Sequence, residues 1–175
     1  MKIQVKTGNL FNITAGHIVH GCNAQGVMGS GVALGVKNLY PAVYEDYRKI
    51  HETVGLKLGT AYPVSITHPV YDRLMVWNAI TQDNFGAGIR QTSYDAVETC
   101  FRQIDEYISE NARKWTNVAE GKTEVVFFHP AEIHIPLIGA ARGGGNWEII
   151  REIIEQTVTH PVTLWLPDET VVGTL

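Results

Sequence analysis

Two glycine-rich segments occupy corresponding places in the chain, and they constrain its fold more than any other feature. The first glycine loop (residues 26–31) follows the apolar run 18–22, and the second glycine loop (residues 139–145) follows the apolar run 133–138. A helical pattern begins directly after each loop. The first N–H groups of a helix lack intrahelical partners and lie at the positive end of its dipole, so such a loop suits an anion. Together they predict a diphosphate site, the alternative being two simple tight turns.

Neither loop matches a standard nucleotide-binding motif. Gly26, Gly29 and Gly31 do not have the spacing of the dinucleotide-binding GxGxxG sequence, whose last two glycines are three residues apart. Residues 121–123 (GKT) resemble the end of a P-loop, but Thr116 stands where that motif requires its first glycine. The glycines therefore indicate an anion site of another kind.

Strand-like and helix-like segments alternate along the chain. Helical spacing follows each glycine loop, starts again at Pro41 and runs through residues 94–108. Strand patterns cover residues 2–6, 18–22, 61–67, 74–81, 125–128, 133–138 and 162–166. This alternation predicts a layered α/β fold, and a length of 175 residues predicts one domain spanning residues 1–175.

Local signals add three expectations. Residues 61–67 and 74–81 are separated by a short turn and predict a hairpin-like pair. The polar stretch 117–122 predicts a surface loop. Asn146 is a good N-cap for the helix after the second glycine loop, and Glu148 suits the dipole of its first turn.

Composition narrows the class of ligand and the location. Fourteen basic and 18 acidic residues give a net charge of −4, which argues against non-specific nucleic-acid binding because phosphate neutralisation needs surplus Lys and Arg. No apolar stretch has the length of a membrane span, and no signal peptide is apparent. Cys22 and Cys100 are too few for a disulfide framework. We expect a monomeric, cytoplasmic protein, and a viral source is compatible with the sequence.

Histidines and cysteine near the first glycine loop do not predict a metal centre. His17, His20 and Cys22 have loosely metal-like spacing, but strand alternation places only His20 and Cys22 on one face, and no second pair of ligands follows. We therefore expect no metal. Two further histidines, His129 and His134, are expected to face solvent.

Three segments, in the same order, resemble the macrodomain family of ADP-ribose-binding α/β modules. They are residues 8–11 (GNLF), residues 18–33 through the first glycine loop and residues 136–147 through the second. The His-x-Cys-Asn sequence that begins at His20, and the tryptophan just after the second loop, resemble most the branch containing ADP-ribose-1″-phosphate phosphatases and small ADP-ribose deacylases. The resemblance implies a three-layer α/β/α fold with a mixed central sheet of about six strands, and no cofactor.

The same resemblance implies the ligand contacts. Asn9 would bind the adenine of ADP-ribose through its side chain, and Leu10 would bind it through its backbone N–H. Asn23 would hydrogen-bond the ribose that carries no adenine (the distal ribose), and Phe85 would pack on it. The phosphates would be held by Gly29, Ser30, Gly31 and Val32 in the first glycine loop and its helix, and by Gly139, Ala140, Ala141, Arg142, Gly143 and Gly144 in the second.

His20 stands where the phosphatase branch has a catalytic histidine. The resemblance therefore implies that His20, with Asn23, hydrolyses ADP-ribose 1″-phosphate to ADP-ribose and phosphate. A histidine proton moves near neutral pH, which suits acid–base work or nucleophilic attack, and both roles stay open. A buried, hydrogen-bonded strand histidine without a catalytic role is the alternative.

Two departures from the deacylases limit the chemistry. Those enzymes use a lysine and an aspartate at the positions occupied here by Gln82 and Gly143. Lysine-dependent removal of ADP-ribose from protein or DNA is therefore disfavoured. Two other functions stay open: a non-catalytic ADP-ribose-binding module, and an ADP-ribosyl ester or adduct hydrolase working by substrate-assisted water attack, which needs Asn23 but not His20.

Overall fold

The computed structural model of the protein describes residues 2–68, 71–86, 89–117, 122–127 and 130–167. Along the chain its elements are β1 (Gln4–Thr7), a short 3-10 helix (Leu10–Asn12), β2 (Gly16–Asn23), α1 (Gly31–Leu39), α2 (Pro41–Thr53), β3 (Ala61–His68), β4 (Tyr71–Gln82), α3 (Tyr94–Glu110), β5 (Ala112–Asn117), β6 (Lys122–Phe127), β7 (Ile133–Ile135), α4 (Trp147–Thr157) and β8 (Val162–Leu166).

Six of these strands form one sheet in the order β1-β8-β7-β2-β4-β3. Neighbouring strands from β1 to β4 run parallel, and β3 pairs antiparallel with β4 at the edge. The predicted α/β class and the mixed sheet of about six strands are confirmed. The hairpin-like pair is confirmed as β3 and β4.

Helices cover both faces of this sheet. On one face α3 and α4 bury Phe101 and Ile150 in the same cluster as Trp77 of β4. On the other face α1 buries Val36 in a cluster with Ile18 of β2. Burial of each such side chain contributes about 1.5 to 3 kcal/mol to stability. Because apolar side chains are buried against helices on both faces of the sheet, the fold has three layers.

Of the predicted strand 125–128, residues 125–127 do not belong to the central sheet, and residue 128 lies outside the described residues. Strand β6 instead pairs antiparallel with β5 in a separate two-stranded sheet. The sequence analysis did not predict β5, because residues 112–117 (ARKWTN) lack the apolar alternation of a half-buried strand. The ends of the predicted loop 117–122 are strand residues, since Asn117 of β5 pairs with Lys122 of β6. The predicted loop residues 118–121 lie outside the described residues.

The parallel strands all end at the same edge of the sheet. In open α/β sheets ligands bind in the crevice beyond the carboxyl ends of such strands. Both glycine loops start at this edge, one after β2 and one after β7. Among the described helices none is long and apolar enough to cross a membrane.

Candidate functional site

A cleft of about 1330 Å³ lies at the carboxyl ends of the parallel strands. Segments that follow or end β1, β2, β4, β7 and β8 all line it. Four strand spacings separate β1 from β4 in the sheet, which corresponds to about 19 Å. The cleft therefore suits an elongated ligand with two distinct ends.

The cleft brings together residues that are far apart in the chain. The predicted ligand contacts that line it are Asn9, Leu10, Asn23, Gly29, Ser30, Gly31, Val32, Phe85, Gly139, Ala141, Arg142, Gly143 and Gly144. Two predicted site residues, His20 and Ala140, are not among its lining residues. The N–H of Ala140 is already bonded to the oxygen of Leu137, at 3.3 Å. Contact between the lining residues and a ligand stays a prediction.

Helix α1 begins inside the cleft with an open N-terminus. Its N-cap residue Ser30 is extended, and the Ser30 side chain makes no capping hydrogen bond. Among the described residues, the N–H groups of Gly31, Val32 and Ala33 therefore have no acceptor. Gly31, Val32 and Ala33 all line the cleft, so these amides and the positive helix end face any ligand there.

Asn23 shapes the first glycine loop from its base. Its Oδ1 accepts hydrogen bonds from the N–H groups of Gln25 and Val27 at 3.0 and 3.2 Å. Its Nδ2 donates to the oxygen of Val27 at 2.7 Å. A carboxamide carries two donor hydrogens, so one remains for a ligand in the cleft that Asn23 lines.

Helix α2 supports the same loop from behind. The Tyr47 hydroxyl donates to the backbone oxygen of Asn23 at 2.6 Å, and Arg48 Nη1 donates to the oxygen of Gly26 at 3.3 Å. A Cβ at position 26 would lie 2.6 Å from Cδ2 of His51. These three α2 residues were not predicted as part of the site. Tyr47 and Arg48 lie four and three residues before His51, and this helical spacing is the signal that could have found them.

The second glycine loop is closed on itself. The oxygen of Gly139 accepts hydrogen bonds from the Gly145 N–H at 2.9 Å and from Thr92 Oγ1 at 2.8 Å. A Cβ at position 143 would lie 2.1 Å from Thr92 Oγ1 and 2.6 Å from the oxygen of Gly139. Position 143 therefore has no room for a side chain, including that of an aspartate.

Helix α4, unlike α1, has a capped N-terminus. Oδ1 of Asn146 accepts from the N–H groups of Glu148 and Ile149 at 2.8 and 3.4 Å, so the predicted N-cap is confirmed. The second loop must therefore bind an anion through its own amides. Within the part of the chain that the structure describes, the N–H groups of Ala141, Arg142 and Gly143 have no acceptor.

The charge of the cleft is opposite to that of the chain. Among the described residues that line it, the charged side chains belong to Arg90 and Arg142, although the chain carries a net charge of −4. The Arg142 side chain crosses to the first loop, since a Cβ at Gly31 would lie 3.4 Å from its Cδ and Nε. A cation at a helix N-terminus is electrostatically unfavourable. An anion bound between the two would offset that repulsion.

His20 lies behind the cleft rather than in its wall. Its side chain is fully buried, and Nε2 lies 2.8 Å from Oδ1 of Asn78. Burial lowers the pKa of His20 to about 4, although the hydrogen bond to Asn78 acts in the opposite direction. The ring is therefore neutral at pH 7, and His20 is not among the residues that line the cleft. A catalytic role for His20 stays a prediction. The sequence of β2 could not show that His20 is buried. Helices cover both faces of the sheet, so its strands lack the alternation of polar and apolar residues that separates an exposed face from a buried one.

The other histidines discussed above also have structural partners. Nδ1 of His17 accepts from Trp77 Nε1 at 3.1 Å. His134 was expected at the surface but is buried, and its Nδ1 accepts from Trp165 Nε1 at 3.2 Å. His129 lies outside the described residues. Among those that are described, no group of three or more His, Cys, Asp or Glu side chains could hold a metal ion.

One rim of the cleft was largely missed by sequence reasoning. After β4, Phe85 and Ile89 expose 51% and 73% of their surface, and Arg90 lies beside them. The Arg90 guanidinium carbon is 4.4 Å from the ring centroid of Tyr94. A cation four residues before an aromatic residue at a helix start was the available signal.

Comparison with known proteins found sequence relatives of two kinds. No protein-family model matches the chain. Over 140 residues it is 29% identical to an uncharacterised 17.5 kDa protein of Enterobacteria phage T4, which covers 79% of this chain and 77% of that protein. Over 64 residues it is 43% identical to an ADP-ribose 1″-phosphate phosphatase of Chaetomium globosum, and this match covers 35% of each chain.

Solved structures match over nearly the whole chain. A protein of unknown function from Bacteroides thetaiotaomicron has a TM-score of 0.74 and 25% identity, covering 94% of this chain and 98% of that one. The macrodomain of Mycobacterium tuberculosis DarG has a TM-score of 0.71 and 20% identity, covering 95% and 98%. Thermosipho africanus DarTG in complex with ADP-ribose has a TM-score of 0.70 and 19% identity, covering 95% of this chain and 42% of that one. These likenesses establish the fold.

Proposed function

Since the chain has the macrodomain fold, we propose that its cleft binds ADP-ribose, with the adenine beside the segment that follows β1 and the distal ribose beside the end of β4. Asn9 and Leu10 line the first end, and Phe85 lines the second. The diphosphate lies between them, at the two glycine loops. This direction is the one that the resemblance to macrodomains implies, and the order of the strands in the sheet is compatible with it.

The observation that carries the proposal is the uncapped N-terminus of α1. Ser30 leaves the first amides of the helix without a side-chain partner, and Arg142 lies directly beside Gly31. Free loop amides at residues 141–143 lie on the same side of the cleft. Neutral amides, a helix end and one guanidinium suit a diphosphate held close to the backbone.

Calorimetric titration tests this proposal. We expect ADP-ribose to bind with one site per chain, and AMP and ribose 5-phosphate to bind more weakly because each fills only one end of the cleft and places one phosphate. Folded protein that takes up no ADP-ribose at millimolar concentration would overturn the proposal.

A second function, hydrolysis of ADP-ribose 1″-phosphate, is supported by the local match to the Chaetomium globosum phosphatase. Water would attack the phosphorus, the bond from phosphorus to the 1″ oxygen would break, and that oxygen would take up a proton. No Asp, Glu, His or Lys is among the described residues that line the cleft. The proposed chemistry therefore relies on orientation of substrate and water and on charge stabilisation by amides and arginine.

In this proposal His20 is a positioning residue. It holds Asn78 on the neighbouring strand and keeps the end of β2, and hence Asn23, in place. His20→Gln offers an amide N–H near the position of the ring Nε2. We expect this variant to release phosphate from ADP-ribose 1″-phosphate at a rate within about threefold of the parent, the range of a modest change in positioning.

The opposite result would be equally clear. A kcat loss of about 100-fold or more, with unchanged ADP-ribose affinity, would restore a direct catalytic role for His20. Absence of phosphate release by the parent protein would leave ADP-ribose binding without hydrolysis. The phage T4 relative agrees with a viral source, which the sequence leaves open. The monomeric state and the cytoplasmic location stay predictions.

A further inference from the structure

Two arginines face the cleft, and the diphosphate accounts for one of them. Arg142 lies at the junction of the two glycine loops, beside Gly31 at the start of α1. Arg90 lines the cleft elsewhere, in the segment between β4 and α3. An exposed cation in the wall of a ligand cleft suggests a second anionic group on the ligand.

Arg90 belongs to the end of the cleft where the distal ribose is expected. Asn9 follows β1 and Arg90 follows β4, and these strands are separated by β8, β7 and β2. A Cβ at position 144 would lie 3.3 Å from Cα of Arg90. The Arg90 backbone thus packs against the last part of the second glycine loop. A group attached to the distal ribose would emerge beside it.

The Arg90 side chain is held in place before any ligand binds. Its guanidinium carbon lies 4.4 Å from the centroid of the Tyr94 ring. The Tyr94 hydroxyl in turn accepts a hydrogen bond from the N–H of Asn146, at 3.0 Å. Arg90 also hydrogen-bonds the Tyr94 side chain. A guanidinium carries five N–H donors, so others remain available for a bidentate contact with phosphate.

We propose that Arg90 is a specificity-determining residue that binds a phosphate attached to the distal ribose, so that the cleft prefers ADP-ribose 1″-phosphate to ADP-ribose. Tyr94 is its positioning residue. The inference rests on the proposed binding of ADP-ribose and adds the residue that distinguishes the two ligands. It applies whether or not the bound phosphate is then hydrolysed.

The test compares two ligands on one pair of matched variants. Affinities for ADP-ribose and ADP-ribose 1″-phosphate are measured by displacement of a fluorescent ADP-ribose analogue, and KM replaces the affinity where phosphate is released. Arg90→Gln is expected to weaken ADP-ribose 1″-phosphate about 10-fold, the scale of one charge-assisted bidentate contact, and ADP-ribose less than about twofold. Arg142→Gln, the matched control at the diphosphate, is expected to weaken both ligands by a similar factor.

Variants of Tyr94 test whether Arg90 must be positioned by the Tyr94 ring or acts by its charge alone. Tyr94→Phe keeps the ring face and should retain most of the preference for the phosphorylated ligand. Tyr94→Leu removes the ring and should lose about half of that preference or more, since an unstacked arginine must be ordered on binding. Melting temperatures close to that of the parent confirm that each variant is folded.

The outcomes distinguish this inference from the proposed function. If the parent binds neither ligand, the proposed function fails and this inference fails with it. If the parent binds both but Arg90→Gln weakens them equally, or weakens neither, ADP-ribose binding stands and the role of Arg90 is overturned. A preference for the 1″-phosphate that disappears in Arg142→Gln instead would assign the second phosphate to the other arginine.

Discussion

The two glycine loops share a strand before them and a helix after them, yet they differ in which groups they leave free. The first leads into a helix whose N-cap, Ser30, makes no side-chain hydrogen bond. The second leads into a helix whose first amides are already bonded to Asn146. The first loop is held from outside, by α2. The second is held from within, by bonds to the oxygen of Gly139.

Because of this difference, the two loops would bind an anion through different groups. The first loop exposes a helix end, which attracts an anion by its dipole. The second exposes loop amides and Arg142, while its own compact packing fixes where those groups lie. A strand, a glycine cluster and a helix therefore predict an anion site in general. The residue just before the helix decides whether the helix end takes part.

Gly143→Ala is expected to have the largest effect, because it attacks the internal packing of the second loop. The added Cβ would lie 2.1 Å from Thr92 Oγ1 and 2.6 Å from the oxygen of Gly139. Overpacking of this kind costs about 3 kcal/mol of unfolding free energy, and we expect ADP-ribose binding to be lost. Urea unfolding and calorimetric titration measure the two effects.

Gly29→Ala is the matched control in the first loop. A Cβ there would meet only Cγ1 of Val27, at an ordinary distance of 3.7 Å. We expect its unfolding free energy to stay within about 0.5 kcal/mol of the parent, as for an unstrained surface change. Equal destabilisation by both substitutions would remove the contrast between an open and a closed loop.

His20, in the strand that precedes the first glycine loop, predicts a pH dependence of the unfolding free energy. Burial lowers the folded-state pKa of His20 to about 4, whereas the unfolded value is about 6.5. Between these two pH values the unfolded chain binds a proton that the folded chain does not. The unfolding free energy should therefore be full above pH 6.5 and fall by about 3 kcal/mol as the pH approaches 4.

His20→Gln isolates this contribution, because glutamine does not titrate. Urea unfolding of parent and variant between pH 4 and 7 should show that the difference in stability between them changes over this window, with the parent losing more on acidification. Parallel pH profiles for the two proteins would contradict the buried, neutral histidine.

Much of the fold followed from the sequence because its signals are local. Periodic apolar residues located α3, Pro41 is the first residue of α2, and Asn146 caps α4 as expected. The cleft also gathers nearly all the residues suggested by resemblance. Strand β5 was missed because backbone pairing with β6 forms it, without an apolar pattern of its own.

The misplaced expectations concern packing between distant segments. Buried His20 is hydrogen-bonded to Asn78, 58 residues away, and buried His134 accepts a hydrogen bond from Trp165, 31 residues away. Neither pairing leaves a trace in local spacing. Arg90 differs, because its spacing of four residues from Tyr94 is visible in the sequence. Its place in the cleft is not, since its backbone there packs against Gly144, which is far away in the chain.

An acidic side chain at each helix start tests which helix end faces the ligand. Ser30→Asp places a carboxylate at the open end of α1, so we expect ADP-ribose to bind about 10-fold more weakly at low salt, since two anions compete for one helix end. The variant itself should melt slightly higher, because aspartate is a good N-cap. Titration and thermal unfolding measure these opposite effects.

Asn146→Asp makes the same change of charge at the capped end. Its carboxylate can still accept from the N–H groups of Glu148 and Ile149, and position 146 does not line the cleft. We expect an affinity within about twofold of the parent. A similar loss in both variants would mean that overall charge, rather than the open end of α1, governs binding.

Tyr47→Phe is expected to have the smallest effect, since it removes one of several supports of the first loop. The hydroxyl donates to the backbone oxygen of Asn23 at 2.6 Å and lies 3.0 Å from its Oδ1. Its loss should cost about 1 kcal/mol of stability and weaken ADP-ribose binding about threefold, because Gln25 and Val27 still hold the Asn23 side chain.

The control for this prediction is Tyr44→Phe, one turn earlier on α2. It retains the ring that the Lys37 ammonium contacts and should change neither stability nor affinity. If Tyr47→Phe lowers stability but leaves affinity unchanged, α2 stabilises the fold without shaping the loop, and the first loop would then be as self-sufficient as the second.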